Sequence, residues 1–283
     1  MPGREIISKT CLHLSAFRLV SSPGLQYNEG RFLGIFLVFS DPHGKRLSSL
    51  SIFFPCYNDA GTIGSLVLLA FRVAEWLTDD YEVIVIDDMS TDNSRAILEG
   101  LQPRYPRLKV VYHESNKGYG GALKTGIAAA GKEFVFYTDG DGQYDVLELV
   151  RLAERMNDGV DVVNGYKVNR ADAWFRRLVG FIYNKTVRFA FGIKMRDIDC
   201  DFRLMRRTIF ERVSLESDTG VICTEMMKKI QDQGYTVVDV PVHHFHRLYG
   251  ASQFFTGTHL ARSLWALAKY WRKIRRSNKL AKG

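Results

Sequence analysis

The chain has 283 residues, 46% of them hydrophobic and 12% aromatic, and carries a net charge of +8. This composition is typical of a globular protein with a sizeable core, and it excludes a disordered or fibrous chain. The longest apolar stretch, Phe32 to Phe39, is too short to span a bilayer, and the first residues lack the pattern of a secretory signal. The four cysteines form neither a CxxC pair nor a zinc spacing, so we expect a reduced, cytoplasmic protein.

The positive charge is concentrated near the C-terminus. The segment from Val240 to Gly283 contains nine Lys and Arg residues and no Asp or Glu, whereas the rest of the chain is close to neutral. A local cationic patch of this kind favours an anionic surface as its partner. We expect peripheral association with an anionic membrane surface, and no binding of nucleic acid.

Strand and helix patterns alternate along most of the chain. Residues 1–47 show no sustained periodicity, and we interpret them as a weakly ordered N-terminal extension. The predicted strands cover Ser51–Pro55, Tyr81–Asp87, Leu108–Tyr112, Glu133–Thr138, Val160–Asn164 and Thr236–Val242. The predicted helices cover Gly61–Leu77, Thr91–Leu101, a Gly-rich segment that ends near Ala130, and Val146–Met156. This alternation predicts an α/β fold with a doubly wound, mostly parallel sheet and flanking helices.

Carboxylates follow two of the predicted strands. Asp87 and Asp88 end one strand, and Asp139, Asp141 and Gln143 follow another on alternate positions. Ligands of doubly wound sheets bind at the carboxyl ends of the strands. Hard oxygen ligands suit Mg²⁺ or Mn²⁺, which leave coordination positions open for substrate phosphates.

The acidic loop has three other interpretations. It could be a solvated Asp/Gly turn, which would be the preferred interpretation of an isolated DGDG segment. A calcium loop fails because Tyr144 and Val150 stand where that loop requires Gly and Glu. A phosphatase motif fails at Gln143, where Thr or Val is needed. The buried strand before the loop and the second carboxylate pair favour a nucleotide-phosphate site.

The Gly-rich segment NKGYGGALKTG, from Asn116 to Gly126, has two functional interpretations and one structural one. It lacks the Lys-Ser/Thr ending of a P-loop and the third glycine of a dinucleotide fingerprint. We therefore expect it to form the start of a closely packed helix.

Seven segments in order resemble the family-2 inverting glycosyltransferases of the GT-A fold, most closely the dolichyl- or polyprenyl-phosphate mannose and glucose synthases. The segments are FFPCYNDAGTI, VIDDMSTDNS, NKGYGGALKTG, TDGDGQYD, DCDFRLMRR, TEMMKKIQDQGYTVVDVPV and HRLYGASQFF. The resemblance covers roughly Leu50 to Phe255, and we expect a glycosyltransferase domain over residues 48–257. Seven matches in order are much more specific than any single one.

The resemblance implies roles for individual residues. Those that would bind the nucleotide sugar are Pro55, Tyr57, Asn58, Asp87, Asp88, Gly140 and Ser252. Asp139 and Asp141, with Gln143 beside them, would hold Mg²⁺ or Mn²⁺ on the donor diphosphate. Arg247, with Gly250 and Ser252, matches a segment that closes over the phosphates, so Asp139, Asp141 and Arg247 are the predicted catalytic residues. Gln253 stands where the family has a Lys.

Two basic segments are candidates for contact with the acceptor or the membrane. Between Lys167 and Arg196, basic and apolar residues alternate, and we assign Arg170 and Arg176 to an acceptor phosphate. An amphipathic helix packed on the core is an equally good interpretation of this segment. Residues 258–283 predict a basic amphipathic helix at the membrane interface, or else a terminal helix that pairs with a partner protein.

Together these features predict a metal-dependent, inverting transfer of mannose or glucose from GDP-mannose or UDP-glucose to a polyprenyl phosphate. We place the enzyme peripherally at the cytoplasmic face of the membrane. One alternative keeps the family but uses a saccharide or other hydroxyl acceptor, with Asp201 or Glu225 as the base. A nucleotidyltransferase and a non-enzymatic membrane adaptor are alternatives of other classes.

Overall fold

The structure is a computed structural model that describes residues 46–168, 174–247, 249 and 265–275. For residues 174–179 only the backbone is described. The predicted extension 1–47 therefore lies outside the described residues except at its last two positions. Of the predicted segment 258–283, residues 265–275 are described, and they form a helix.

Strands and helices alternate, as the sequence patterns predict. The strands are β1 (Leu50–Cys56), β2 (Tyr81–Asp87), β3 (Leu108–Tyr112), β4 (Phe134–Thr138), β5 (Val162–Val168), β6 (Phe202–Arg206) and β7 (Val237–His243). The helices are α1 (Ile63–Leu77), α2 (Ser94–Leu101), α3 (Gly118–Ala129), α4 (Leu149–Ala153), α5 (Trp174–Phe191), α6 (Val221–Asp232) and α7 (265–275). Short 3₁₀ turns occupy Gln102–Arg104, Val146–Glu148 and Arg207–Glu211.

The strands form one sheet in the order β3-β2-β1-β4-β6-β5-β7. Strand β6 pairs antiparallel with both β4 and β5, and the other pairings are parallel. The predicted α/β fold with a mostly parallel sheet is therefore confirmed. The sequence patterns did not indicate β6 as a strand, because its second residue is a charged Arg203 at a position where a buried strand usually has an apolar side chain.

The other differences are at element boundaries. Strand β5 begins two residues later than predicted and continues to Val168, although its second half is polar. The helix predicted over Val146–Met156 is a 3₁₀ turn followed by the short α4. The side chain of Asp145 accepts a hydrogen bond from Leu147 N and so begins this turn.

Apolar side chains pack on both faces of the sheet. Within β1, Ile52 and Phe54 belong to one core cluster and Phe53 belongs to the other, because successive side chains of a strand point to opposite faces. A Cβ atom on Gly126 would lie 2.3 Å from the Phe53 ring, so α3 packs closely on β1 only with glycine at that position. This contact confirms the close-packed helix expected from the Gly-rich segment.

Helix α7 packs against the domain itself. Leu267, Trp271 and Ile274 are partly buried against the core cluster that contains Phe53. The rings of Tyr270 and Phe191 stack at 5.6 Å, which places α7 beside the end of α5. These three of the apolar side chains that the sequence assigns to a membrane interface are therefore packed, in part, against the protein. None of the helices in the described part of the chain is long and apolar enough to cross a bilayer.

We predict that deleting residues 1–45 leaves the melting temperature nearly unchanged, whereas deleting residues 1–47 lowers it. The backbone N–H groups of Arg46 and Leu47 both donate to Leu77 O, at 3.0 and 3.2 Å, and the Leu47 side chain is 5% exposed. Loss of one buried leucine costs about 1.5–3 kcal/mol. Thermal unfolding of the two truncated chains measures the difference. An unfolded chain after the shorter deletion would place residues 1–45 in the folding unit.

Candidate active site

The acidic loop after β4 lies against the loop after β1. Strands β1 and β4 are parallel neighbours, so their carboxyl ends meet at one edge of the sheet. Thr62 Oγ1 donates to Gly140 O at 2.6 Å. A Cβ atom on Gly140 would lie 2.6 Å from Pro55 O, so a side chain at this position would push the two loops apart.

Asp139 and Asp141 lie side by side in this loop but have different partners. Asp139 Oδ1 accepts a hydrogen bond from Tyr119 Oη at 2.9 Å. Burial raises the pKa of Asp139 well above its usual value, and the nearby carboxylates of Asp201 and Asp141 raise it further. Asp141 is 5% exposed, and its Oδ2 atom is 2.5 Å from Arg247 Nη2.

The antiparallel strand β6 brings a third carboxylate to the same edge. Its first residue, Phe202, pairs with Thr138 at the end of β4, so Asp201 lies beside the acidic loop. Asp201 Oδ1 accepts hydrogen bonds from Arg203 Nη1 at 3.1 Å and from Cys223 Sγ at 3.0 Å. The sequence indicated Asp201 only as a base for a hydroxyl acceptor. Its place in the cluster depends on β6, which was not predicted.

Arg203 neutralises part of this charge from inside the core. Its side chain is fully buried, and its Nε atom donates to Asn164 Oδ1 of β5 at 2.8 Å. Further hydrogen bonds run from its two terminal nitrogens to Tyr137 Oη and Ile198 O. A buried guanidinium with this many acceptors is firmly held. The contacts therefore link β4, β5 and β6 immediately below the acidic loop.

Asp59 is a further acidic residue that the sequence analysis did not assign to the site. It is 7% exposed, and its Oδ2 accepts a hydrogen bond from Tyr57 N at 3.2 Å. Burial raises the pKa of Asp59 to about 6, and the carboxylate of Asp141 contributes to the rise. Its position next to Asn58 in the loop after β1 is the sequence signal that could have indicated it.

The predicted nucleotide residues lie at the ends of β1 and β2. Asn58 Oδ1 accepts hydrogen bonds from Thr91 N at 2.7 Å and from Asp92 N at 3.2 Å, and so joins the two strand-end loops. Asp87 Oδ1 accepts from Ser90 N at 3.3 Å. Pro55 is in β1, and the Tyr57 ring beyond it is 38% exposed. The structure therefore brings these residues together beside the acidic loop.

Asp88 is already occupied by internal hydrogen bonds. Its carboxylate accepts from Lys117 N and Gly118 N, both at 2.8 Å, where helix α3 begins. Its Oδ1 atom is also 2.6 Å from His113 Nδ1. These contacts satisfy exposed N–H groups at the start of a helix, which a carboxylate does well. A role for Asp88 in nucleotide binding stays a prediction.

The segment after β7 lies over the acidic loop. Phe245 N donates to Gln143 O at 2.8 Å, and Gln143 Nε2 donates to Phe245 O at 3.1 Å. This pairing positions Arg247 next to Asp141. Three predicted site residues cannot be located in this way: Arg170 and Ser252 lie outside the described residues, and Arg176 is described only through its backbone in α5. Gly250 and Gln253 also lie outside them.

Asp139 and Asp141 fit a divalent cation that takes most of its ligands from a donor diphosphate. Among the described residues, no group of three or more His, Cys, Asp or Glu side chains is arranged to hold a metal on its own. The guanidinium of Arg247 on Asp141 shows that this position attracts a cation. Mg²⁺ is typically bound by one or two carboxylates together with substrate phosphates.

Lys167, near the end of β5, is a further cation at this edge, and the sequence analysis did not assign it to the site. Its charge opposes the rise in the pKa of Asp139. Burial raises the pKa of the nearby Asp199 to about 7, and Lys167 limits that rise as well. The side of the site formed by β5 therefore carries a positive charge close to the carboxylates.

Comparison with known proteins identifies the family. Residues 51–214, more than half of the chain, match the model of "Glycosyl transferase family 2". A curated relative, the undecaprenyl-phosphate 4-deoxy-4-formamido-L-arabinose transferase of Enterobacter sp. (strain 638), is 28% identical over 216 residues. That match covers 74% of this chain and 64% of the relative, so the chain spans less than two thirds of the relative's length.

Solved structures show the same fold. The glucosyl-3-phosphoglycerate synthase of Mycobacterium tuberculosis with Mn²⁺ and UDP-glucose has a TM-score of 0.61 at 17% identity, with 89% of this chain and 84% of that one covered. The same enzyme with UDP alone has a TM-score of 0.61 at 16% identity, covering 89% and 86%. The GT-A fold expected from the resemblance is thus confirmed. On the extent of the family match, this chain belongs to glycosyl transferase family 2.

Proposed function

We propose that this enzyme transfers a hexose from a nucleotide sugar to a polyprenyl phosphate, with inversion at the anomeric carbon and with a divalent metal. The observation that carries the proposal is that the carboxylates of the two candidate bases, Asp201 and Glu225, are held by contacts within the protein. A hydroxyl acceptor needs a free base to take its proton. A phosphate acceptor is already an anion at neutral pH and needs none.

Glu225 is held by three internal hydrogen bonds. Its two carboxylate oxygens accept from Glu216 N at 3.0 Å and from Ser217 N at 2.9 Å, and Lys229 Nζ donates to Oε1 at 2.7 Å. The residue is 2% exposed. Both of its oxygens are therefore engaged inside the protein and shielded from an acceptor hydroxyl.

Asp201 is also engaged, in its case by a buried cation. Arg203 and Cys223 both donate to Oδ1, as described above. The ion pair with Arg203 therefore ties this carboxylate to the core. Since both candidate bases are held in internal contacts, an anionic acceptor is favoured over a saccharide hydroxyl.

The curated relative supports the same class of acceptor. Its name describes transfer of a sugar to undecaprenyl phosphate, and its match covers 74% of this chain. The sugar in that name is a modified arabinose, so the relative does not select mannose or glucose for this chain. We propose GDP-mannose or UDP-glucose as donors and the cytoplasmic face of an anionic membrane as the place of the reaction.

The proposed reaction is a single displacement. An oxygen of the acceptor phosphate attacks the anomeric carbon from the face opposite the nucleoside diphosphate. The bond from that carbon to the diphosphate breaks, and the diphosphate leaves with the electron pair. A divalent cation on Asp139 and Asp141, with Gln143 beside them, would neutralise the charge that develops on the leaving group. Related structures that hold Mn²⁺ or Mg²⁺ together with UDP support this choice of metal.

In this proposal Arg247 moves from Asp141 to the donor diphosphate when the nucleotide sugar binds. A planar guanidinium can donate to two phosphate oxygens at once. The exposed ring of Tyr57, with Pro55, Asn58, Asp87, Asp88 and Gly140, would form the walls of the nucleotide pocket. Ser252 would close the pocket, and Arg170 and Arg176 would hold the acceptor phosphate.

A donor and acceptor panel tests the proposal directly. The enzyme is supplied with Mn²⁺ and each nucleotide sugar, with and without a short-chain polyprenyl phosphate, and the released nucleotide is measured. We expect release of a nucleoside diphosphate that depends on the lipid phosphate and yields an inverted glycosyl phosphate. Equal activity on a simple saccharide with no response to the lipid phosphate would contradict the proposed acceptor.

We predict that Asp141→Asn lowers turnover by about 10²–10³, since metal stabilisation of a leaving group contributes several kcal/mol. Calorimetric titration should show weaker Mn²⁺ binding in the presence of the nucleoside diphosphate. Asp145→Asn is the matched control, because Asp145 lies in the same loop and its Asn variant can still accept from Leu147 N. Full activity of chelator-treated wild-type protein would refute a metal role.

We predict that Arg247→Lys lowers donor affinity and turnover by at least about tenfold, although it keeps the charge. The physical reason is that an ammonium group cannot make the paired hydrogen bonds of a guanidinium. Steady-state kinetics at varied donor concentration measure both effects. Arg207→Lys is the control, because Arg207 forms only a long 3.9 Å ion pair with Glu211 away from the loop. Near-normal turnover of Arg247→Lys would reject the assigned role.

We predict that Asp59→Asn stabilises the donor-free, metal-free protein above about pH 6. The folded pKa of Asp59 is raised to about 6. The wild type therefore loses stability as the pH rises from the unfolded value, about 4, through 6, whereas Asn does not titrate. We expect a gain of a few degrees in melting temperature at pH 8 that disappears near pH 4. A gain of the same size at both pH values would show that charge crowding is not its cause.

A further inference from the structure

The outward faces of α5 and α7 carry exposed apolar and basic side chains side by side. We propose that these two faces form the surface by which the enzyme docks on an anionic phospholipid bilayer. The proposal deepens the proposed function, because a polyprenyl phosphate is presented by such a bilayer. The sequence predicts that the apolar stripe of α7, which includes Leu267, Trp271 and Ile274, meets the membrane. The proposal assigns the docking role to other residues.

Helix α5 exposes three large apolar side chains on one face. Phe181, Ile182 and Phe189 are 62%, 54% and 91% exposed. Helical spacing places Ile182 and Phe189 almost in line along the helix, about two turns apart, with Phe181 about a quarter turn to one side. Val187, on the opposite side of the helix, is buried in the core cluster. The helix is therefore fixed to the domain by one face, and its apolar outer face is left in solvent.

This clustering distinguishes α5 from the rest of the described surface. Away from α5 and α7, the exposed large apolar side chains of the described residues are Leu68 on α1 and Tyr57, Met89, Phe245 and Tyr249 in the loops after β1, β2 and β7. Single exposed apolar residues are normal on a soluble protein, whereas a contiguous patch marks an interaction surface. Phe189, at 91% exposure, is the most exposed of them all.

Helix α7, whose Tyr270 stacks on Phe191 of α5, exposes an aromatic side chain of the same chemistry. Trp265 is 64% exposed, and Lys269 Nζ lies 5.3 Å from the centre of its ring. On α5, Lys185 Nζ lies 5.9 Å from the centre of the Phe181 ring. An aromatic ring with a Lys beside it suits the headgroup region, where the ring enters the acyl boundary and the ammonium group reaches the phosphates.

Charge selects an anionic bilayer as the occupant. The two helices contain no Asp or Glu, and their charged residues are Arg176, Arg177, Lys185, Arg188, Lys269, Arg272, Lys273 and Arg275. Some of these make contacts within the protein, such as Lys273 with Glu216. A helix face that combines aromatic and aliphatic residues with basic ones, and lacks acidic ones, is the pattern that binds anionic lipid headgroups.

Two tryptophans of α7 allow an effect on docking to be distinguished from an effect on folding. Trp265 is on the exposed side, whereas Trp271, six residues later, packs against the core. If the apolar stripe of α7 met the bilayer, Trp271 would be the more important of the two for membrane binding. If the outward faces meet it, Trp265 is the more important.

The experiment measures binding of the full chain to vesicles of mixed phosphatidylglycerol and phosphatidylcholine by co-sedimentation. We expect the double variant Phe181→Ser/Phe189→Ser to lower the partition coefficient at least about tenfold, because two phenylalanines leave the acyl boundary. Leu68→Ser is the matched control, since Leu68 is an exposed apolar residue of α1, and it should bind like the wild type. Trp265→Ser should weaken binding at an unchanged melting temperature, and Trp271→Ser should lower the melting temperature.

Three results would overturn the proposal. The first is unchanged vesicle binding of the double variant, and the second is equal binding of the wild type to vesicles of pure phosphatidylcholine. The third is binding that appears only after residues 1–45 are deleted, since that segment of the chain would then be the occupant of the surface. Capture of a partner protein by the patch, with no vesicle binding of the wild type, would likewise overturn it.

The same variants distinguish this proposal from the proposed function. Transfer to a short-chain, water-soluble polyprenyl phosphate does not require a membrane, so the double variant should keep wild-type turnover in that assay. Vesicle binding through the patch, without transfer to any polyprenyl phosphate, would reject the acceptor and leave the docking surface standing. Transfer to the soluble acceptor without vesicle binding would do the reverse.

Discussion

The carboxyl edge of the sheet concentrates carboxylates that repel one another in a largely buried space. Asp59, Asp139 and Asp199 all have raised pKa values, mainly because burial disfavours their charged forms. Asp141 and Asp201 add negative charge beside them. An arrangement of this kind is stable only if cations are close by. The positions of Arg203, Lys167 and Arg247 follow from that requirement, and so does the affinity of the edge for a cationic ligand.

Arg203 places a positive charge on the core side of these carboxylates, and Arg247 places one on their outer side. The first is fixed in the core between β4, β5 and β6, so its charge is permanent. The second comes from the segment after β7, whose backbone pairs with Gln143, and its side chain is only partly buried. One cation therefore belongs to the core, whereas the other lies on the segment that covers the acidic loop.

Much of this arrangement was accessible from the sequence because it depends on local patterns. The apolar run Tyr81–Asp87 fixed β2 to the residue, and the strand-then-carboxylate order at Asp87 and Asp139 placed both clusters at one edge. The dense Gly-rich segment similarly indicated close packing of α3. In each case neighbouring residues and the general rules of parallel sheets were sufficient.

The features that the sequence did not reveal depend on contacts between distant residues. Strand β6 looks half polar in the sequence because it contains Arg203. This side chain is buried only because it hydrogen-bonds to Tyr137 of β4 and Asn164 of β5. In the sequence, Asp88 looks available to bind a nucleotide, but its carboxylate accepts hydrogen bonds from backbone N–H groups at the start of α3. The apolar stripe of α7 has the periodicity of a membrane-bound helix, and the same periodicity serves for packing on a domain. Periodicity identifies an apolar face without identifying what covers it.

Strand β6 ends a long excursion of the chain away from the sheet. The chain leaves the sheet at Val168, passes through α5, and returns at Phe202 to pair with β4. Val187, Phe191 and Ile198 of this excursion are buried in the core, whereas Phe181, Ile182 and Phe189 face solvent. Strands β1, β2 and β3 pair with one another without it. The exposed positions of the excursion are therefore free to vary while those three strands stay the same.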